Sequence, residues 1–537
     1  MPPLETSLVR ESEAAKANRA AHLALIEQFR TLEAKVIETS NRSADKFHKR
    51  GQLLPRERVK LLLDRDAPFL ELSTLAGLGM HEDDGDQNVF GGGMIAGIGF
   101  VEGVRCMVFA SDSGIKGGAA HPMGTQKALR CQTIALENRL PLINLVESAG
   151  ANLMLQSEQF VVGGGTFANM AKLSAAGVPV VSVVHGSSTA GGAYQTGLAD
   201  YIVLVKGRSK VFLAGPPLLR AATGEVADDE TLGGADMHTL ITGMGEYLAV
   251  DDRDAIRIAR EVFAKLPWIR HPVARSAAKP PRFSPDEILD LVPVDYRKPY
   301  DAHELIARIV DDSDFLDFKP AWGAYTVCGH AAIEGQAVGI LANNGPIDAA
   351  GASKAAQFIQ LCCQSGTPLV FLQNTTGFIV GVEAERQAII AHGSRMIQAV
   401  TNATVPKVTV QIGASFGAGH YAMCGRAFGP RFVLAWPNYR ISVMGGEQAA
   451  KVLTIVGEDG ARARGQEPDH ARLSAMSERI VTTYDRESTA LYATAHVWDD
   501  GLIDPRDTRH ALAFCLATAM EGDARQVRPN SFGVARI

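Results

Sequence analysis

The sequence predicts an α/β protein built from two tandem ββα-type spiral domains that arose by internal duplication, preceded by a helical extension. Three observations predict it. The segment from Val178 to Tyr194 and the segment from Val405 to Tyr421 share eight identities over 17 aligned positions at an offset of 227 residues. The same offset carries Pro141-Leu142-Ile143 with Gly150 onto Pro368-Leu369-Val370 with Gly377, and Lys127 onto Lys354. In each copy a buried β-run leads into a Gly-rich turn and then a helix start, where backbone N–H groups lack intrahelical partners and can meet an anion.

Taken in order, residues 10–38 place Leu25, Phe29, Leu32 and Val36 at helical spacing, which predicts an amphipathic docking helix. The stretch Arg50 to Asp64 has Gly51 and Pro55 as punctuation before a second helix, and 81–88 is acidic and loop-like. Two β-runs lie between Val89 and Ala110, and a helix runs from Lys116-Gly117-Gly118 to about Asn138. A strand at 140–147, the turn Ala149-Gly150-Ala151, a further helix, and another such step over 178–205 complete the first copy. Pro272, Pro280, Pro281, Pro285, Pro293 and Pro299 preclude a long helix or central strand, so 272–300 is expected to link a domain at 1–271 to one at 301–537. The second copy repeats the programme: strands in 331–342, a helix at 352–366, a strand at 368–373, Gly377, a strand at 405–412 and the turn Gly417-Ala418-Gly419. Residues 446–456 and 505–521 are expected to be helical.

With 537 residues, 46% apolar and 21% charged, the composition is that of a globular protein with two large cores. A net charge of -6 gives no basis for nucleic-acid binding, so an anionic ligand must be met by local donors. The seven cysteines lack C-x-x-C spacing, which predicts free thiols and no zinc ribbon; no metal site is expected. The N-terminus, with Glu5, Arg10, Glu11, Glu13 and Lys16, has no signal-peptide core, and no apolar run approaches the roughly 20 residues that span a bilayer. A cytoplasmic chain without membrane attachment is expected.

A series of motifs spans almost the whole chain: Arg50 to Asp64, Glu147-Ser148-Ala149-Gly150-Ala151-Asn152, Ser188 to Tyr194, Phe212 to Pro217, Ala222 to Glu225, Leu232 to Asp236 and Pro299-Tyr300-Asp301. In these the chain resembles the carboxyltransferase β subunits of biotin-dependent acyl-CoA carboxylases. The resemblance implies two crotonase-like domains, an acyl-CoA site mostly in the first and a biotin site mostly in the second. It also implies a β hexamer within an α6β6 assembly, with biotin carried by an α subunit that includes the biotin carboxylase. This chain has no Met-Lys-Met attachment sequence and no ATP-binding module of its own.

Carboxyl transfer from biotin to an acyl-CoA develops negative charge on two oxygens, the ureido oxygen and the thioester enolate. Each needs preorganised donors, and the loss of one typically costs about 3 kcal/mol. By the resemblance, Gly150-Ala151 with Gly191-Gly192 hold the thioester oxygen, next to Ala190. Gly377-Phe378 with Gly417-Ala418-Gly419 hold the ureido oxygen. The substrate proton goes to biotin, and no side chain is expected to act as general base. Lys116, Lys127 and Arg130 either meet CoA phosphates or form a solvated face; Lys116 and Lys127 are the candidates carried forward. Tyr194 and Tyr421 are expected in core packing, and His121, His185, His392 and His420 in structural roles.

Ala168-Asn169-Met170 and Gly417 to Gly425 resemble the methylcrotonoyl and geranoyl branch, whose substrates are 3-methyl-enoyl thioesters carboxylated at the γ methyl carbon through a dienolate. Methylcrotonoyl members usually carry bulky aromatics just upstream, where this chain has Gly163-Gly164-Gly165. The expectation is geranoyl-CoA, of acyclic terpene catabolism, over methylcrotonoyl-CoA, of leucine catabolism, unless the glycines merely form a flexible loop. Two rivals remain. Gly413-Ala414-Ser415-Phe416-Gly417 fits the G-x-S-x-G of a serine hydrolase, with Asp469 and His470, His496 or His510 downstream. A crotonase-type hydratase would have Glu147 as its nearest acid.

Overall fold

The computed structural model describes residues 4–81, 90–268 and 276–535. The expected loop at 82–88, Val89 and the start of the expected linker at 272–275 lie outside the described residues. The chain forms two compact units: Arg30–Val273 with Ala495–Val497 and Thr518–Ile537, and Ala274–Thr494 with Met1–Phe29 and Trp498–Ala517. The changeover between the units lies between Val273 and Ala274. The ends differ from the expected 1–271 and 301–537 division, because each terminal segment counts with the opposite half.

Side-chain chemistry accounts for both differences. At the N-terminal end, Arg19 Nε donates to Asp290 (2.6 Å) and its Nη2 to Asp286 (2.8 Å), while His22 Nε2 meets the Val292 carbonyl at 2.9 Å. The expected linker is therefore a docking surface for the extension rather than a free connector. Ser284 caps a 3-10 turn at Pro285–Glu287, and Ile288, Leu289 and Val292 are buried behind it. The prolines interrupt long elements without preventing burial of the apolar residues between them. At the C-terminal end, Glu521 pairs with Arg105 (2.8 Å), and Arg525 donates to the Arg139 carbonyl (2.9 Å).

In the first half the strands are β1 (Leu70–Glu71), β2 (Met94–Val101), β3 (Val104–Ser111), β4 (Leu142–Ser148), β5 (Val180–Thr189), β6 (Tyr201–Val205), β7 (Lys210–Phe212) and β8 (Tyr247–Ala249). They form one sheet in the order β1-β2-β3-β4-β5-β6-β8, with β7 on the end of β5. β1 to β3 are antiparallel, and the strands from β3 to β8 run parallel. Parallel strands covered on both faces must be apolar throughout, which is why β4 to β6 read as near-continuous Val, Ile and Leu. Ile143, Leu145, Val181, Val183, Val203 and Val205 pack against Ile256, Ala259 and Phe263 of the helix Asp252–Lys265.

The second half repeats the arrangement with β9 (Leu316–Asp317), β10 (Thr326–Ile333), β11 (Gln336–Asn343), β12 (Leu369–Thr375), β13 (Lys407–Phe416), β14 (Phe432–Ala435) and β15 (Arg440–Ser442). Their order is β14-β13-β12-β11-β10-β9, with β15 on the end of β13. The match extends to irregularities. The ladder between β4 and β5 slips between Val146 and Ser148, and that between β12 and β13 slips between Gln373 and Thr375, the same offset of 227. Isolated parallel bridges Ala120–Ala151 and Ile347–Phe378 repeat it again. Bulges re-aim the chain at functional rims, so their duplication marks the turns that follow as built features. The fold is thus the α/β double spiral expected, with a helix over Glu13–Asn41. All seven cysteines are free, and among the described residues no helix is long and apolar enough to cross a membrane.

A histidine in the second half has both ring nitrogens engaged: His303 Nδ1 with Asp301 and Nε2 with Asp317, each at 2.8 Å. These two carboxylates, Asp301 first, raise its pKa to about 9 against the opposing effect of burial. Its contribution to stability is complete below the ordinary histidine value near 6.5 and is lost as pH rises through about 9. In urea titrations the unfolding midpoint should fall more steeply between pH 7 and 9.5 in the native chain than in His303→Gln.

Candidate active site

At the end of β4 the bulge at Ser148 turns the chain away from the ladder. Gly150 takes φ +89°, a region closed to most side chains. Ala120 N–H donates to the Gly150 carbonyl (2.8 Å) and Asn152 N–H to the Ala120 carbonyl (3.0 Å). In such a parallel bridge the intervening Ala151 N–H points the other way, and it has no acceptor among the described residues. Gly150 N–H is already taken by Ser148 Oγ at 3.2 Å. The expected donor pair Gly150-Ala151 is therefore corrected: Gly150 shapes the turn, and Ala151 supplies the free N–H.

Beside it, β5 ends at Thr189, and Ala190 takes φ +51° and ψ −120°. A non-glycine residue there carries roughly 1–3 kcal/mol of backbone strain, which is typical of functional turns. Its N–H is tied to the Phe212 carbonyl (3.1 Å), and its own carbonyl accepts from Ala193 (3.1 Å). The helix Gly191–Gly197 starts directly afterwards and leaves the N–H groups of Gly191 and Gly192 without backbone acceptors. The turns lie side by side, since a Cβ on Gly192 would be 3.5 Å from that of Ser148.

The second half builds the same cradle. Ile347 N–H donates to the Gly377 carbonyl (3.0 Å) and Ile379 N–H to the Ile347 carbonyl (2.9 Å), which leaves Phe378 N–H outward. Gly377, at φ +119°, gives its N–H to Thr375 Oγ1 at 3.2 Å. As in the first cradle, the expected Gly377-Phe378 pair is corrected to Phe378 as donor. Gly417 (φ +55°) stands where Ala190 does, and the helix Gly417–Ala422 presents Ala418 and Gly419. A cavity of about 650 Å³ opens beside this cradle, lined by Thr376, Phe416, Tyr296, Gly445 and Tyr484. Tyr296 stacks edge-on against Phe416 with ring centroids 5.1 Å apart. Three amide donors thus stand beside a cavity whose wall combines Tyr296, Phe416 and Tyr484 with the charged Asp295, Arg297, Arg440 and Glu447, an arrangement able to receive the oxygen of a polar ring.

The remaining candidates separate. Lys127 is 0% exposed, and its Nζ donates to the carbonyls of Gly91 (3.2 Å) and Met94 (2.8 Å). It is a structural ammonium out of reach of a CoA phosphate, and Lys354, 1% exposed, is buried likewise. Lys116 is half-buried in the turn Lys116–Gly118, close to Glu147 and the first cradle. Gly163, Gly164 and Gly165 lie inside the helix Gln156–Ala175, which corrects the flexible-loop alternative. One turn later Phe167 faces the cradle: a Cβ on Gly191 would be 3.2 Å from its Cζ. Tyr194 and Tyr421 are 54% and 48% exposed, so the expected core packing does not hold.

Both rival chemistries lose their key residue. Ser415 is 0% exposed inside β13, with Oγ between Gln373 Oε1 and His420 Nδ1, each at 2.7 Å. Burial lowers the His420 pKa to about 4, and no described carboxylate contacts it. Asp469 caps the helix His470–Glu487 on the surface. Glu147, the hydratase candidate, is clamped by Arg58 Nη1 (2.6 Å) and Ser113 Oγ (2.8 Å).

The carboxyl transferase domain family matches residues 46–533. The solved β subunit of geranyl-CoA carboxylase from P. aeruginosa is 54% identical, covers 100% of both chains and superposes with a TM-score of 0.94. A probable biotin-dependent acyl-coenzyme A carboxylase beta2 subunit of Mycobacterium tuberculosis is 49% identical over 92% of each chain. The biotin-dependent 3-methylcrotonyl-coenzyme A carboxylase beta1 subunit of the same organism is 46% identical over 93% of this chain and 94% of that one. Duplicated donor cradles, a single fold over the full length and these likenesses converge: the chain belongs to the carboxyl transferase domain family, as a carboxyltransferase β subunit of the biotin-dependent acyl-CoA carboxylases.

Proposed function

We propose that the chain is the carboxyltransferase of a geranoyl-CoA carboxylase, working in the cytoplasm with a biotin-carrying α subunit in an α6β6 assembly. When bound, biotin supplies the activated carboxyl group and the basic ureido nitrogen. The chain's own part is to hold two oxyanions. Ala151, Gly191 and Gly192 are placed to receive the thioester oxygen as the γ-deprotonated acyl chain becomes a dienolate. Phe378, Ala418 and Gly419 are placed to receive the ureido oxygen. With Glu147 clamped and Ser415 buried, the residues that remain are donors rather than bases, which suits a proton leaving to the cofactor.

The observation that carries the substrate is the glycine run inside a helix. An interior glycine costs about 1 kcal/mol of helix propensity relative to alanine; Gly165 packs against Leu129, but a Cβ on Gly164 would meet nothing within 4 Å, so the bare face there needs a reason. Gly163 and Gly164 lie one helical turn before Phe167, whose ring abuts Gly191 of the first cradle, on the side where a longer acyl tail would leave it. The likeness to the P. aeruginosa geranyl-CoA carboxylase β subunit supports the same reading. Methylcrotonoyl-CoA remains the second reading, because relatives at 43–46% identity carry that name. Reconstituted with its α subunit, the enzyme should show kcat/KM for geranoyl-CoA at least about tenfold above that for methylcrotonoyl-CoA. The reverse preference would refute the assignment.

A further inference from the structure

One sequence motif, the stretch from Arg50 to Asp64, has no part in the cradles themselves, yet its Arg58 reaches Glu147, just before the first turn. Glu147 and Asn374 are equivalent residues, each three positions before its turn glycine. Each presses on the neighbouring strand where that strand has no side chain. A Cβ on Gly186 would lie 2.7 Å from Glu147 Oε1, and one on Gly413 would collide with Asn374 Oδ1. Asn374 Oδ1 also accepts the Ala414 N–H at 2.9 Å.

We propose that Arg58, acting through Glu147, is a positioning residue for the first oxyanion cradle and that Asn374 is its counterpart for the second; the assignment rests on the carboxyltransferase reading above. Arg58, 1% exposed, holds Glu147 with one nitrogen and reaches Asp252 Oδ2 (3.3 Å) with the other. Asp252 is fixed in turn by His185 Nδ1 (2.9 Å) and the Leu53 N–H (2.8 Å). Burial alone would raise the Asp252 pKa, but His185 and Arg58 bring it down to about 2, so the anchor stays ionised. The brace of the first cradle is thus an ion-paired chain running back to the helix Pro55–Leu62. The brace of the second is neutral: the Asn374 side chain accepts the Ala414 N–H and ties the residue before the turn to β13. One geometry built from two chemistries at equivalent positions is what a requirement on the turn, rather than on a particular charge, would produce.

Hydrogen exchange of the isolated β subunit, with holoenzyme kinetics and calorimetric CoA binding, tests this. Glu147→Gln and Arg58→Lys should speed exchange across 149–152 and leave 376–379 as they are. Asn374→Ala should do the converse. All three should lower kcat about 10- to 100-fold, as expected for small displacements of a catalytic group, while Kd for CoA stays within about twofold. Exchange that rises at both turns in each variant, or at neither, overturns the proposal. So does a Glu147→Gln variant that loses turnover with 149–152 still protected, because Glu147 would then be handling the substrate proton. If the native holoenzyme carboxylates no acyl-CoA, the carboxyltransferase reading falls, and the exchange pattern still decides whether these side chains brace the turns.

Discussion

Gly419→Ala is expected to lower biotin-dependent carboxyl transfer about 100- to 1,000-fold, whereas Gly192→Ala, its equivalent in the first cradle, should cost less than about tenfold. The two positions are related by the duplication but differ in clearance. A Cβ on Gly419 would stand 2.8 Å from the Gly377 Cα and 2.9 Å from Thr375 Cγ2, distances that real Cβ atoms essentially never show, and a tight 3.2 Å from the Gly377 N. The obstacles are mostly backbone, so the turn carrying Phe378 must move. On Gly192 the nearest atoms would be 3.5 Å away, which is ordinary contact. Displacing one preorganised N–H from a developing oxyanion costs about 2.7–4 kcal/mol, and the second cradle stands to lose that much. Affinity for CoA, measured calorimetrically, should not change in Gly419→Ala, since the lesion is confined to the cradle of the other half. Equal losses in the two variants would mean that the cradles do not follow these clearances.

The duplication that frames this comparison was legible in the residues, because buried parallel strands must be apolar on both faces and the turns after them must contain glycine. Val178–Tyr194 and Val405–Tyr421 preserve both constraints. What could not be read was which amide is free. Gly150 and Gly377 looked like donors, but whether an N–H is open depends on the bridge to Ala120 or Ile347, some 30 residues away in sequence. A signal was present nonetheless, for Ser148 and Thr375 keep a hydroxyl at the repeat offset and use it on the glycine N–H. Lys127 failed as a phosphate ligand for a related reason. Periodicity places it on a helix, but not against the carbonyls of Gly91 and Met94 that bury it. The terminal exchanges were invisible because Arg19 and Glu521 each find their partners hundreds of residues away.

Gly164→Phe is expected to lower kcat/KM for geranoyl-CoA about 100-fold or more while changing that for methylcrotonoyl-CoA less than about tenfold. The added side chain has room to form, since a Cβ on Gly164 would meet nothing within 4 Å. The fold should not resist it either, because replacing an interior glycine of the helix Gln156–Ala175 improves helix propensity by a few tenths of a kcal/mol. A lower rate therefore cannot be put down to unfolding, and Tm should hold or rise. The selectivity follows from position. Gly164 lies one helical turn before Phe167, whose ring abuts Gly191 of the first cradle, so a second ring there would stand where an acyl chain continues past the reacting carbons. Geranoyl-CoA carries an additional isoprene unit into that space, and methylcrotonoyl-CoA ends before it. Discrimination of about 1–3 kcal/mol per methylene-sized mismatch makes a 100-fold effect modest for excluding a whole unit. Equal loss for both thioesters would instead assign the glycine face to docking of CoA or of another chain, and an unaffected geranoyl-CoA rate would place the tail along a different wall.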